Sequence, residues 1–386
     1  MAVALGREKK PVAPVVVDEN ESVPPALRIA GAYSWRILLV VGVVAVLVFL
    51  VIQLKYIVIP FMVAILVAAL LVPLVNWLMR HRWPKWLAVT LAMIGTLAIV
   101  SGLIFLIVSQ VRSGYPDLQA KSILAYEDFK AFLAASPLQV DDAEFGAYID
   151  QAIAALQKDS QIIISGALSL GSTAGHVLAG LLLSVFATLF ILIDGPRVWA
   201  WIVGLSPRRA RGAIDGSGQA GWVTLTSFVK VQIFVAAVDA TGIGLGAWLI
   251  GLISGLGFPL VIPIAIAVFL GSFVPVVGAL VTGTLAVFVA LVYLGPFWAL
   301  IMLGIVLLVQ QVEGHVLQPL VMGSAVKMHP LAVVFSVGAG AFIAGIPGAL
   351  FAVPVVAVLN VMVKVIASGE WKTNPRPTVK ETLRNA

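Results

Sequence analysis

Four stretches of this chain, Ile37 to Leu54, Ile57 to Met79, Leu87 to Val108 and Ala167 to Ile193, hold no Asp, Glu, Lys or Arg. Each is close to, or longer than, the roughly 20 apolar residues that a helix needs to cross a bilayer. In hydrocarbon the backbone must satisfy its own polar groups, and a helix does this within one segment. The pattern therefore predicts an all-α, polytopic integral membrane protein whose first partner is membrane lipid. Composition agrees: 11% of the 386 residues are charged, against about 25% in soluble domains. The net charge of +6 then reads as the cytoplasmic Lys/Arg excess that orients spans, and not as a nucleic-acid surface. Cysteine is absent, which excludes disulfides and cysteine-held metal centres. Neither His-Glu-x-x-His nor a Walker lysine loop is found, so no enzyme, cofactor or metal site is expected.

Charge along the chain sets the organisation. Residues 1–34 are polar and Pro-rich and read as a disordered cytoplasmic tail. The basic, aromatic turn RHRWPKW (Arg80 to Trp86) marks a cytoplasmic end. Residues 112–165 are acidic, with apolar residues such as Phe129, Phe132 and Leu133 at helical spacing, and read as a small extracytoplasmic helical module. Segment 197–222 carries Arg197, Arg208, Arg209 and Arg211 with three tryptophans, as an interfacial cytoplasmic connection would. The basic tail 367–386 is also placed inside, which leaves 35–366 as the membrane domain. With both termini cytoplasmic the spans are even in number, and about eight helices fit.

Two of the later apolar segments are interrupted. GSFVPVVGALVTG, with Pro275 and Gly278, and GAFIAGIPGALFAVP, with Gly345, Pro347 and Gly348, each set proline among glycines and resume with Gly-Ala-Leu. Such breaks, occurring twice, point to discontinuous or re-entrant helices around a transport site. A plain kink is the alternative. GIGLGA, from Gly242, lies within an apolar run and reads as close helix packing through small residues.

The polar residues inside the apolar sequence carry the chemistry. A charge at the bilayer centre costs about 2.5–3.5 kcal/mol on insertion scales, so it faces protein or water and signals function. Asp239 is such a group, and Gln232, two helical turns earlier, shares its face. Glu313 has Gln310 one turn before it, while Gln311 and His315 stand four apart on a neighbouring face. Interhelical bonding is the structural alternative, and the better one for the glutamines.

QQVEGHVLQPLVMG, VKMHPLAVVFSVGAG and GIPGALFAVPVVAV together resemble the C-terminal signature of the autoinducer-2 exporter family. Gln311, Glu313, Pro319, Gly323, His329, Pro330, Gly345, Gly348 and Pro354 carry the match, and VKVQIF and PVVG add to it upstream. The likeness runs from about Ser34 to Ile366; His315 stands where relatives often carry Asn, and Asp239 is outside the pattern. It implies a homo-oligomeric transporter of the bacterial inner membrane, whose family includes exporters of the quorum signal autoinducer-2 and sodium(lithium)/proton antiporters. With no nucleotide site, uphill flux would need an ion gradient. The expectation is a secondary transporter of a small polar solute, with monovalent cation/proton antiport as the alternative and a non-transporting scaffold as the second. Glu313 ranks first for coupling, since motif and intramembrane charge both reach it; Asp239 follows. Pro319 and the two glycine/proline breaks would let the backbone leave helical geometry beside the route.

Overall fold

The structure, a computed structural model, describes residues 24–135, 170–274, 277–317 and 330–374. Among these the secondary structure is helical throughout, and seven helices are long and apolar enough to cross a membrane. The chain divides into two units, 1–54 and 55–386. The first contains α1 (Pro25–Gln53), started by a proline in its first turn and exposed along its apolar length. Residues 25–34, expected in the polar tail, are thus helical, because the apolar periodicity extends back to Leu27 and Ile29.

The second unit begins with α2 (Lys55–Arg80), whose buried stripe Pro60, Ala64, Ala68, Leu71, Val75 and Leu78 follows the three-to-four spacing of a helix face. It turns at Arg82 into α3 (Lys85–Ala135). At 1.5 Å per residue the 51 residues of α3 run about 76 Å, more than twice the hydrocarbon thickness. Residues 112–135 therefore continue the helix that begins at Lys85; 136–169, the rest of the expected module, lie outside the described residues. The continuation packs on later helices: Lys121 Nζ stands 4.6 Å from the Tyr293 ring centroid, and Gly114 abuts Leu260.

Helix α4 (Leu170–Gly204) breaks at Asp194, ahead of Gly195-Pro196, then resumes as a short arm. Lys85 Nζ donates to Ile193 O at that break. After a turn, in which Arg211 donates to Ser206 O and Gly204 O, comes α5 (Arg211–Ser254), 44 residues long. It ends at Gly255, in the left-handed conformation that a helix C-terminus favours. Helices α6 (Val261–Gly271), α7 (Val277–Leu294) and α8 (Pro296–Val312) follow, then a single π turn, Glu313–Leu317. Last comes α9 (Pro330–Ser368), with a 3-10 turn, Glu370–Lys372, after it.

Helix α5 is the spine. Its first half, through Leu225, Phe228 and Val229, shares one apolar core with Ala69 of α2 and Val337, Ala349 and Val353 of α9. Its second half, through Ile243, Ala247 and Ile250, shares another with α6, α7 and α8. A third core joins α2, α3 and α4. Gln232 and Asp239 lie on α5 where the first core gives way to the second.

Candidate functional site

Seven residues separate Gln232 from Asp239, so helix geometry stacks both on one face of α5. That face meets the end of α6. Gln232 and Asp239 are 6% and 2% exposed. Gln232 Nε2 donates to Ser272 O at 2.5 Å, and Ser272 Oγ lies 3.1 Å from Asp239 Oδ2 and 2.8 Å from Val268 O. Asp239 Oδ1 is buried without a hydrogen-bond partner among the described residues. A buried polar atom left so is uncommon in a native protein and calls for an explanation. The α6 carbonyl end, with its partial negative charge, stands beside the carboxyl group, so the place suits a proton or a cation and disfavours an anion.

The break behind Ser272 is a reversal of direction. A Cβ on Gly278 would collide with the backbone of Gly271, and one on Gly271 would press on Thr282 and Gly278. Seven residues along a straight helix span about 10 Å, so α6 and α7 must fold back on each other to bring these backbones together. Val274 N donates to Gly271 O, Gly278 N to Val274 O, and Thr282 Oγ1 to Gly278 O at 2.8 Å. Pro275 lies outside the described residues. The second break does the same within α9. Ala344 and Gly345 leave helical geometry, Gly345 at φ 64°, ψ −146°, a region essentially restricted to glycine. Gly340 and Gly348 again meet backbone to backbone. Pro347 sits in the first turn of the returning arm, where its missing N–H costs nothing. Both interruptions expected from the sequence are glycine-closed hairpins.

A family model described as AI-2E family transporter matches residues 37–368. The chain belongs to the AI-2E transporter family. It is 36% identical over 351 residues to MT0215 of Mycobacterium tuberculosis (strain CDC 1551 / Oshkosh), whose name describes a transport protein, covering 91% of this chain and 94% of that one. YrrI of Bacillus subtilis (strain 168), also named for transport, is 24% identical over 322 residues, 80% and 86% of the two chains. TqsA of Escherichia coli (strain K12), named an AI-2 transport protein, is 23% identical over 317 residues, 81% and 87% of the two. Transport by a multi-pass membrane protein is therefore the role of this chain.

In this AI-2E transporter the other polar group lies at the end of α8. Glu313 is half-buried and opens the π turn, a local widening often found at functional sites. Gln310 is half-buried, while Gln311 and His315 are exposed, with His315 Nδ1 3.3 Å from Gln311 O. Pro319 lies outside the described residues. The packing of α5 on α8 sets their register: Gly242 abuts Val309 and Gly246 abuts Ile305. The helices run antiparallel there, so one further turn brings Glu313 level with Val238 and Asp239. GIGLGA is thus a packing surface, as its small residues imply, and it brings the two intramembrane acids to one height.

Ser272 was not singled out by its sequence. A serine in an apolar run reads as bonded to its own helix, and Ser272 is so bonded, through Val268 O. Its second contact, to a residue 33 positions away, needed the fold. Its position directly after Gly271 at a glycine/proline break is the one local clue. An open cavity of about 470 Å³ lies elsewhere, lined by Lys121, Leu256, Gly257, Phe258, Pro259 and Tyr293. It begins past the end of α5, at least about 22 Å along the helix from Asp239, and is a different place.

Proposed function

We propose that this protein is a secondary transporter of the bacterial cytoplasmic membrane, exporting a small polar solute of the autoinducer-2 kind in exchange for protons bound at Asp239. One observation carries the reading: a carboxyl group 2% exposed, with one oxygen unpartnered among the described residues, faces the C-terminal end of α6 where that helix reverses. A charge there costs too much to be idle, and the two hairpins supply the discontinuous backbone that transport sites use. On its deeper burial we rank Asp239 ahead of the half-buried Glu313, where the sequence alone ranked Glu313 first. Glu313, Gln310 and Gln232 then shape the site, and the name of TqsA supports the solute class.

A second reading, monovalent cation/proton antiport, is favoured by the small polar inventory around Asp239 among the described residues: one amide, one hydroxyl and one carboxyl group. Both termini and 197–222 are assigned to the cytoplasm, 112–165 to the outside, and the assembly to a homo-oligomer. The test is flux in liposomes containing purified protein. Autoinducer-2 movement driven by a pH gradient, reduced at least tenfold in Asp239→Asn, is the expected result. Sodium/proton exchange without autoinducer-2 movement selects the second reading. If neither moves, the chain is a scaffold; if Asp239→Asn transports at the wild-type rate, the coupling role is refuted.

A further inference from the structure

Parts of three helices come together around the open cavity of about 470 Å³, at the point where their apolar sequence stops. Gly114, two residues past Arg112 where the apolar part of α3 ends, abuts Leu260 of the turn between α5 and α6. Helix α5 has ended just before, at Gly255, and Tyr293 stands next to the last residue of α7. Lysine and tyrosine at the ends of apolar helices are the side chains that settle at a membrane–water boundary. The volume is that of a small-molecule site. Lys121 is the one charged group among the described residues of its lining. Its ammonium lies 4.6 Å from the Tyr293 ring centroid, an attraction that keeps it at the cavity. A lysine carries three N–H donors, so the ring and a partner of its own still leave it able to donate to an anionic oxygen.

The mouth of the cavity continues into an apolar ridge. Leu245, Trp248, Leu249, Leu252 and Ile253 are all exposed, and their spacing puts them on one face of α5, opposite the buried Ile243, Ala247 and Ile250. Leu256, just past the helix, is exposed and also lines the cavity, so ridge and cavity are continuous. From Leu245 to the helix end at Ser254 the ridge rises about 14 Å. That is close to the depth of one leaflet, half of a hydrocarbon core about 30 Å thick. A cation at the boundary, with an apolar track of leaflet length beneath it, matches the two parts of a phospholipid.

We propose that this cavity binds the headgroup of an anionic phospholipid, its phosphate taken by Lys121 and one acyl chain laid along the α5 ridge. The charge inventory selects the lipid class. A zwitterionic headgroup brings an ammonium of its own. Among the described residues the lining offers no carboxylate to receive it, and the Tyr293 ring already faces Lys121. A headgroup whose phosphate is its only charge, as in phosphatidylglycerol, leaves no cation stranded. The site stands apart from Asp239, and lipid bound there would tie α3, the α5–α6 turn and the end of α7 to one another.

The experiment is native mass spectrometry of the full chain released from micelles holding equal amounts of phosphatidylglycerol and phosphatidylcholine. Phosphatidylglycerol should be retained in preference, and Lys121→Ala should lower that retention about fivefold, the worth of one lysine at an anionic surface. Lys121→Arg should keep it, and Arg209→Ala, which removes an exposed cation elsewhere, should leave it unchanged. Ile253→Ser should weaken it, because the acyl track is part of the site, and glycerol phosphate should not displace the lipid. Phosphatidylglycerol should also raise the thermal midpoint of the wild type more than that of Lys121→Ala. Equal retention of the two lipids, or a preference that survives Lys121→Ala, overturns the proposal. Displacement by glycerol phosphate would make this a site for a soluble anion and overturn lipid occupancy. Loss of self-association in Ile253→Ser with lipid retention unchanged would show a second copy on the ridge, and overturns it too.

Discussion

Gly278→Ala tests whether the first hairpin is closed by its glycines. Within a helix, Ala is preferred to Gly by about 1 kcal/mol, so propensity alone predicts stabilisation. The added Cβ, however, would land inside van der Waals contact of Gly271 O, C and Cα. These are backbone atoms with no rotamer by which to withdraw, so the arms must separate. Overpacking of this kind costs about 1–3 kcal/mol, and more where backbone has to move. Taking the upper end and subtracting the propensity gain leaves a net loss of about 2 kcal/mol. At about 2–4 °C per kcal/mol for a domain of this order, the midpoint should fall by about 4–8 °C. The assay is thermal unfolding in detergent, with Gly304→Ala as control. An added Cβ on Gly304 meets nothing within 4 Å, so that variant should hold its midpoint or gain slightly. Separation of the arms also draws Ser272 from Asp239, so liposome flux should fall along with stability. A Gly278→Ala protein with wild-type midpoint and flux would refute the close approach and return this segment to an ordinary kink.

Gly246→Leu should damage the α5–α8 seam similarly, since its Cβ would press on Ile305, and a lowered midpoint with weakened flux is expected. Pro347→Ala should leave the α9 hairpin and its flux intact, because the reversal is made at Gly345; a large loss would place the turn on the proline instead. Trp199→Phe removes the Nε1–H that donates to Asp215 Oδ1 at 2.8 Å, and a loss of about 1–2 kcal/mol in unfolding free energy is expected for a half-buried bond to a charged acceptor. For topology, cysteine introduced at residue 141 should label from outside and at residue 209 should not, and the reverse pattern would invert the orientation.

The membrane class needed nothing beyond the sequence, because apolar runs of spanning length with so few charges have no stable arrangement in water. Periodicity alone paired Gln232 with Asp239 and recognised the small-residue face from Gly242 to Gly246, since both depend on positions within one helix. Where the local pattern left a choice, the tertiary structure made it. Glycine and proline within an apolar run permit a bend or a reversal, and contact between arms, Gly271 on Gly278 and Gly340 on Gly348, made each a reversal. An acidic stretch with helical spacing can start a new helix or prolong an earlier one, and residues 112–135 prolong α3, which packs there on the later helices. Asp239 was visible as an expensive charge, but its partner was not. Ser272 comes to it across 33 residues of chain, and Glu313 comes level through the register of two antiparallel helices. Such distances are closed by packing, and no local preference of the residues between them determines the result.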